Sequence, residues 1–439
     1  MAQVRRGLPG TPLLGQAAAG TPLLGQAGTP TGLPGTPTGF FPGPGPGTPL
    51  LGQVKQQPGT PLLGQVQAGT PTGQPGTPIQ WGQGPGTPIA QSWAAGSGDT
   101  SLATCSGHAG PVHCMEWIPS GAALASGSHD GTLKIWDAEK GTCLVTSSDH
   151  RQYVVCVTWA PAGDRLATGS ADGLLLVWDA ASGKRIAKCS GHSGQVRCAA
   201  WAPHEDLVAS GGLDKTIRVW KASTGACVAK CKGHTGYIYC LAWRPAGDRL
   251  ASGSLDKNLR IWEPNTGECL AKCEGHSGAV CSVAWGPGGN SLASGSHDKD
   301  ARVWNAKTGA LAVTCSGHES RVYAVAWRMD AHRPRLATAS HDGSVRIHDT
   351  GMGVCMVKCV GHVGAVYSVA WSGGSGRSLL VSGGADTTVR VWDATVGRCL
   401  AVHVGHRASV TLVRWSADGK QLASGSEDGT LKLWPVGPV

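Results

Sequence analysis

The sequence predicts an all-β fold, a single β-propeller of eight four-stranded blades behind a disordered Gly/Pro/Thr-rich tail. Three observations carry this. A unit of about 42 residues recurs eight times, opening at His108, His150, His192, His234, His276, His318, His362 and His406. Each unit closes 28 or 30 residues later, at Trp136, Trp178, Trp220, Trp262, Trp304, His348, Trp392 and Trp434. Within every unit a Ser or Thr stands four residues before an Asp, from Ser126/Asp130 to Ser424/Asp428. A period of this length marks a supersecondary unit that buries its faces only against its neighbours. A seven-blade ring is the alternative, and it leaves one intact repeat without a place.

The strands of one blade follow from residue pattern. In the fourth unit, residues 237–243 alternate and are rich in β-formers, which predicts the innermost strand. Residues 244–248 are turn chemistry. Residues 249–254 and 259–262 read as the second and third strands, separated by the tight turn 256–258. After the turn 264–267, residues 269–273 form the outer strand. Past Trp434 only five residues remain, too few and too Pro-rich for an outer strand. The segment 102–107 resembles 311–317, the outer strand and turn before His318. Residues 101–105 are therefore expected to complete the last blade and remove two exposed sheet edges.

With Gly-His openings and Trp-Asp at 136–137, 178–179 and 392–393, residues 101–439 resemble the WD-repeat family. The resemblance implies a buried relay in each blade. His108, Ser126, Asp130 and Trp136 form it in the first, and His234, Ser252, Asp256 and Trp262 in the fourth. A buried indole N–H and imidazole need partners, so the repeated His–Asp pairs read as structural. Blade six departs from the pattern at His348, which puts its relay in doubt.

The domain reading is a disordered low-complexity tail over 1–99 and a propeller over 100–439. The tail repeats Gly-Thr-Pro nine times, with Thr11, Thr21, Thr29, Thr36, Thr48, Thr60, Thr70, Thr77 and Thr87. Such Pro and Gly density builds no core. Each Thr-Pro is a possible phosphorylation site, and nine phosphates would make the tail strongly acidic.

Composition narrows the function classes. The 16 Cys all lie in the repeats. Same-strand pairs such as Cys227/Cys231, Cys269/Cys273 and Cys355/Cys359 read as lying on one strand face, unsuited to zinc or disulfides. They read as reduced, buried thiols, which points to an intracellular setting, nucleus or cytoplasm. No apolar run is long enough to span a membrane. A net charge of +9, without a basic stripe interleaved with aromatics, gives little support for direct nucleic-acid binding. No nucleophile elbow, phosphate loop or metalloprotease motif is present. The reading is therefore no enzyme, no catalytic residue, no metal and no cofactor.

The resemblance also implies where a partner sits. Three positions per blade serve on one face: two alternate residues opening the inner strand, and the residue before the relay Asp. All five Tyr fall in this set, and Tyr and Arg are enriched in binding hot spots. The expected site comprises Tyr237, Tyr239, Arg321, Tyr323 and Tyr367, centred on blades four, six and seven, with Tyr153, Arg197 and His113 beside it. Aromatics at the channel mouth would clasp an Arg or Lys of an inserted peptide. The expected function is a non-catalytic scaffold, a monomeric propeller docking peptide or protein partners within a multiprotein complex. Alternatives are a chromatin-associated subunit of a histone-modifying complex, reading basic histone-like peptides, and an RNA-processing or ciliary assembly scaffold.

Overall fold

The computed structural model describes residues 99–328, 334–373 and 378–436. The tail and its nine Thr-Pro sites lie outside them. The described residues form eight four-stranded antiparallel sheets, seven of them meanders of consecutive strands. Blade four runs Ile238–Trp243, Leu250–Ser254, Leu259–Trp262 and Cys269–Cys273. Blade eight takes Val410–Trp415, Gln421–Ser426 and Leu431–Pro435 from the end of the chain, and Ala103–Cys105 from its beginning. Cys105 pairs with Leu431 and Ala103 with Leu433. Lys432 bonds Asp99 and donates to Thr104 Oγ1 at 2.8 Å, fastening the closing strand.

The core lies between blades rather than within them. Leu259 and Ile261 of blade four pack with Val280, Val283 and Trp285 of blade five. Close approach demands small residues. A Cβ on Gly253 would lie 2.6 Å from Cys240 Sγ and 2.7 Å from Val280 Cγ1. Blade six carries Ala339 at the equivalent place, paired with the small Ala324.

The tryptophans ending the inner strands also clasp the blades. Trp243, Trp285, Trp327, Trp371 and Trp415 each donate their indole N–H to an inner-strand carbonyl of the preceding blade, at 2.8–3.2 Å. Trp159 does so to Glu116 at 3.1 Å, and Trp117 to Arg414 at 3.4 Å, which closes the circle between first and last blades.

That junction is also where the layer of residues preceding these tryptophans becomes charged. Thr158, Ala200, Ala242, Ala284, Ala326 and Ala370 occupy the position elsewhere, whereas the junction has Glu116 and Arg414. Burial pushes the Glu116 carboxyl up to about 7, against the opposing pull of the Trp159 N–H and the Arg414 charge. The unfolded carboxyl titrates near 4.5, so the folded chain holds the extra proton between the two values. This contribution to stability is present below the lower value and lost as pH rises through the upper one. Glu116→Gln is expected to flatten the fall in urea midpoint between about pH 5 and about pH 8. An unchanged fall would contradict the assignment.

Candidate functional site

Each blade holds its relay at one end of the sheet, where the loop before the inner strand meets the turn between second and third strands. His Nδ1 lies 2.7–3.1 Å from the Asp carboxylate in all eight blades. His Nε2 lies 2.7–2.8 Å from the Ser or Thr hydroxyl. In seven blades the Trp indole donates to that hydroxyl at 2.7–2.8 Å. An indole N–H only donates, so it orients the whole chain. The hydroxyl accepts from Trp and donates to His Nε2, and His Nδ1–H donates to Asp.

Electrostatics match this direction. Burial lowers the His234 pKa, outweighing Asp256, so the imidazole is neutral at pH 7. Burial raises the Asp256 carboxyl, but the His234 bond and the Thr235 and Asn258 N–H groups outweigh it and hold the carboxyl below its ordinary range. A fully bonded, neutral imidazole has no basic lone pair to offer a substrate.

Blade six keeps the contact in altered form. His348 is fully buried, with Nε2 3.1 Å from Thr338 Oγ1. The backbone of Gly353 also lies within reach of the imidazole.

The same end of the molecule carries the candidate interface. Every inner strand has a β-bulge at one register position. The bulged residues are His113, Val155, Arg197, Tyr239, Cys281, Tyr323, Tyr367 and Thr411. A bulge leaves its residue unpaired in the ladder and re-aims its side chain. Two residues earlier, the carbonyl accepts the N–H of the residue before the relay Asp. Leu255 donates to Tyr237, His297 to Ala279 and His341 to Arg321, each at 2.9 Å. The ladder defect and this bond bring the three positions of each blade together.

Three groupings result. In blades one and two, His129 stacks on Tyr153 at 5.0 Å, and His113 lies edge-on to both at 5.4 and 5.7 Å. Between blades three and four, Arg197 lies over the Tyr239 ring at 5.3 Å. In blades five to seven, Tyr323 contacts His297, His341 and Tyr367 at 5.7–6.1 Å. Between the last two groupings, the inner strand of blade five carries the small Ala279 and Cys281. The Cys281 thiol feels the charges of both Arg197 and Arg321, and burial pushes it up to about 12.

Comparison with known proteins agrees with this architecture. Residues 100–236 match the family model of the WDR19 first beta-propeller, and residues 212–373 that of the IFT122 first beta-propeller. Residues 397–435 match the WD domain, G-beta repeat. The chain belongs to the WD-repeat β-propeller family.

Curated relatives of this WD-repeat chain match over one repeat's length. Serine-threonine kinase receptor-associated protein of Gallus gallus is 48% identical over 40 residues, 9% of this chain and 11% of the relative. WD40 repeat-containing protein HOS15 of Arabidopsis thaliana is 49% identical over 39 residues, 9% and 6%. The matches thus span about a tenth or less of those relatives. Among solved structures, the computationally designed Ika8 protein superposes with a TM-score of 0.68 at 28% identity, over 77% of this chain and all of that one. WD-repeat propellers generally serve as non-catalytic scaffolds for protein partners.

Of the expected site residues in this WD-repeat ring, Tyr237 is exposed at 40%, and Arg321 is exposed too. Tyr239, Tyr367, Tyr153, Arg197 and His113 are half-buried, and Tyr323 is buried. His129, His297 and His341 join the aromatic groupings; they occupy the mapped position before the relay Asp, the signal that finds them.

The cysteine pairs need correction. Cys231 is buried while Cys227 is exposed, because a bulge opposite Val219 and Trp220 turns the strand over between them. The half-exposed Cys269 and Cys355 repeat the arrangement. Their sulfurs sit beside Arg260 and Arg346, as Cys227 sits beside Arg218, at 3.4–3.8 Å. All cysteines are free, and among the described residues no His/Cys/Asp/Glu group could hold a metal. No described helix is long and apolar enough to cross a membrane.

Proposed function

We propose that this chain is a non-catalytic scaffold that docks a peptide or protein partner on the relay face, as a subunit of a multiprotein complex. The observation that supports the reading is the bulge repeated in every inner strand, which sets Arg197 over Tyr239 and Tyr323 beside Tyr367. Aromatic and Arg side chains on a rigid frame give large contact area at small entropic cost. The alternative of a chromatin-associated subunit reading basic histone-like peptides is weaker. The Tyr239 face that would clasp a cation already carries Arg197, and Arg321 adds like charge. A scaffold in ciliary assembly is a second reading, favoured by the matches to the IFT122 and WDR19 first propellers.

The test is affinity capture from native lysate with the full chain, beside a Tyr237→Ala, Tyr239→Ala, Tyr367→Ala variant checked for folding. Partners lost with the three substitutions support docking on this face. Partners that ignore them move the interface to the rim or the tail.

A further inference from the structure

The turn between second and third strands needs a left-handed residue just after the relay Asp. Blades one, two, six and eight use Gly131, Gly173, Gly343 and Gly429, with φ of 80–82°. Blades three, four and five hold the same conformation with Lys215, Lys257 and Lys299, at φ of 64°, 72° and 78°, and blade seven with Thr387 at 65°. A side chain is unfavourable there, and Gly is free of that cost. Three successive blades therefore carry exposed ammonium groups at positions where the backbone favours Gly. These turns sit on the relay face, two residues beyond Leu213, Leu255 and His297, whose N–H groups bond the inner strands at 2.9 Å.

The lysine turns belong to the same relay face as the Tyr and Arg groupings. Arg197 stands in blade three and Arg321 in blade six, with the small Ala279 and Cys281 of blade five between them. His297 Nε2 is buried there with no hydrogen-bond partner among the described residues. The carboxylates of this sector are mostly engaged: Asp214, Asp256 and Asp298 in relays, and Asp300 beside Arg302. Glu319 is exposed, as is Glu274, which pairs with Lys272.

We infer that blades three to six take an acidic peptide. Its carboxylates lie along Lys215, Lys257 and Lys299, and one reaches blade five between Arg197 and Arg321. Charge complementarity selects the partner, while the Tyr residues supply contact area. This inference rests on the docking reading above and adds the chemistry of the partner.

The test measures binding of a short Glu-Gly repeat peptide, a Lys-Gly repeat peptide and a single-stranded DNA of equal charge to the full chain. Two variants accompany it. One is Lys215→Gly, Lys257→Gly, Lys299→Gly. The other is Lys140→Gln, Lys184→Gln, Lys307→Gln, which removes equal charge from turns at the opposite ends of the third strands. The Glu-Gly peptide is expected to bind, to weaken about tenfold or more in the Gly variant, and to keep its affinity in the Gln variant. The Gly variant's thermal midpoint is not lowered, since each Gly relaxes a left-handed residue. Equal losses in both variants, or tighter binding of DNA, would overturn the inference. Binding of the Lys-Gly peptide alone, abolished by Tyr237→Ala and Tyr239→Ala, would overturn it while leaving the docking reading intact. If no peptide depends on this face, both fall.

Discussion

Trp262→Ala is expected to destabilise the chain by about 3–5 kcal/mol. The indole is fully buried and packs with Ile238, Leu250 and Leu241 on the face shared with blade three. Its loss opens a cavity and also removes the 2.8 Å donor that orients the Ser252 hydroxyl. The relay then loses its direction, because Ser252 can point its hydrogen elsewhere. Blades pack only on neighbours, so the defect weakens both junctions of blade four. A urea titration followed by tryptophan fluorescence reads the effect. The converse is expected at blade six. His348→Trp replaces the 3.1 Å imidazole contact on Thr338 with the indole donor of the other seven blades and adds apolar burial, raising stability by about 1–2 kcal/mol. Loss of stability on that substitution would show that blade six has repacked around its imidazole.

A chain beginning at residue 106 is expected to lose about 3–5 kcal/mol relative to one beginning at residue 99. The missing strand pairs Ala103, Thr104 and Cys105 with blade eight. It also supplies the Leu102 N–H to Leu433, at 2.7 Å. Cys105 is fully buried against Val112, Leu431 and Leu433. Without it Lys432 loses both Asp99 and Thr104, and the third strand of blade eight becomes an open edge prone to pairing with other chains. A lowered thermal midpoint with concentration-dependent aggregation is the expected result. Equal midpoints for the two chains would mean that the closing strand contributes little.

The fold was legible because a propeller repeats its physics. Eight copies of one His, Ser/Thr, Asp and Trp spacing expose the relay, and the orphan outer strand at 102–107 exposes the closure. The bulges were less legible. A one-residue ladder defect leaves the composition of a strand unchanged, so Val228 and its equivalents gave no warning that Cys227 would turn outward. The same defect in the inner strand is what aims Tyr239 and Arg197 at the mouth. The contact of Arg197 with Tyr239 crosses two repeats and has no sequence signature. His348 was visible as a departure from the pattern. Its contact with Thr338 became clear only once the imidazole was seen to reach where an indole N–H ends.

Partner docking on the relay face has a direct signature in backbone protection. Hydrogen exchange on the full chain, free and with a captured partner, tests it most directly. A partner docked on this face brings new protection to the inner-strand openings 237–240, 279–282 and 321–324 and to the turns 213–216 and 255–258. Protection confined to the outer strands, or to the turns between third and outer strands, would contradict docking on this face.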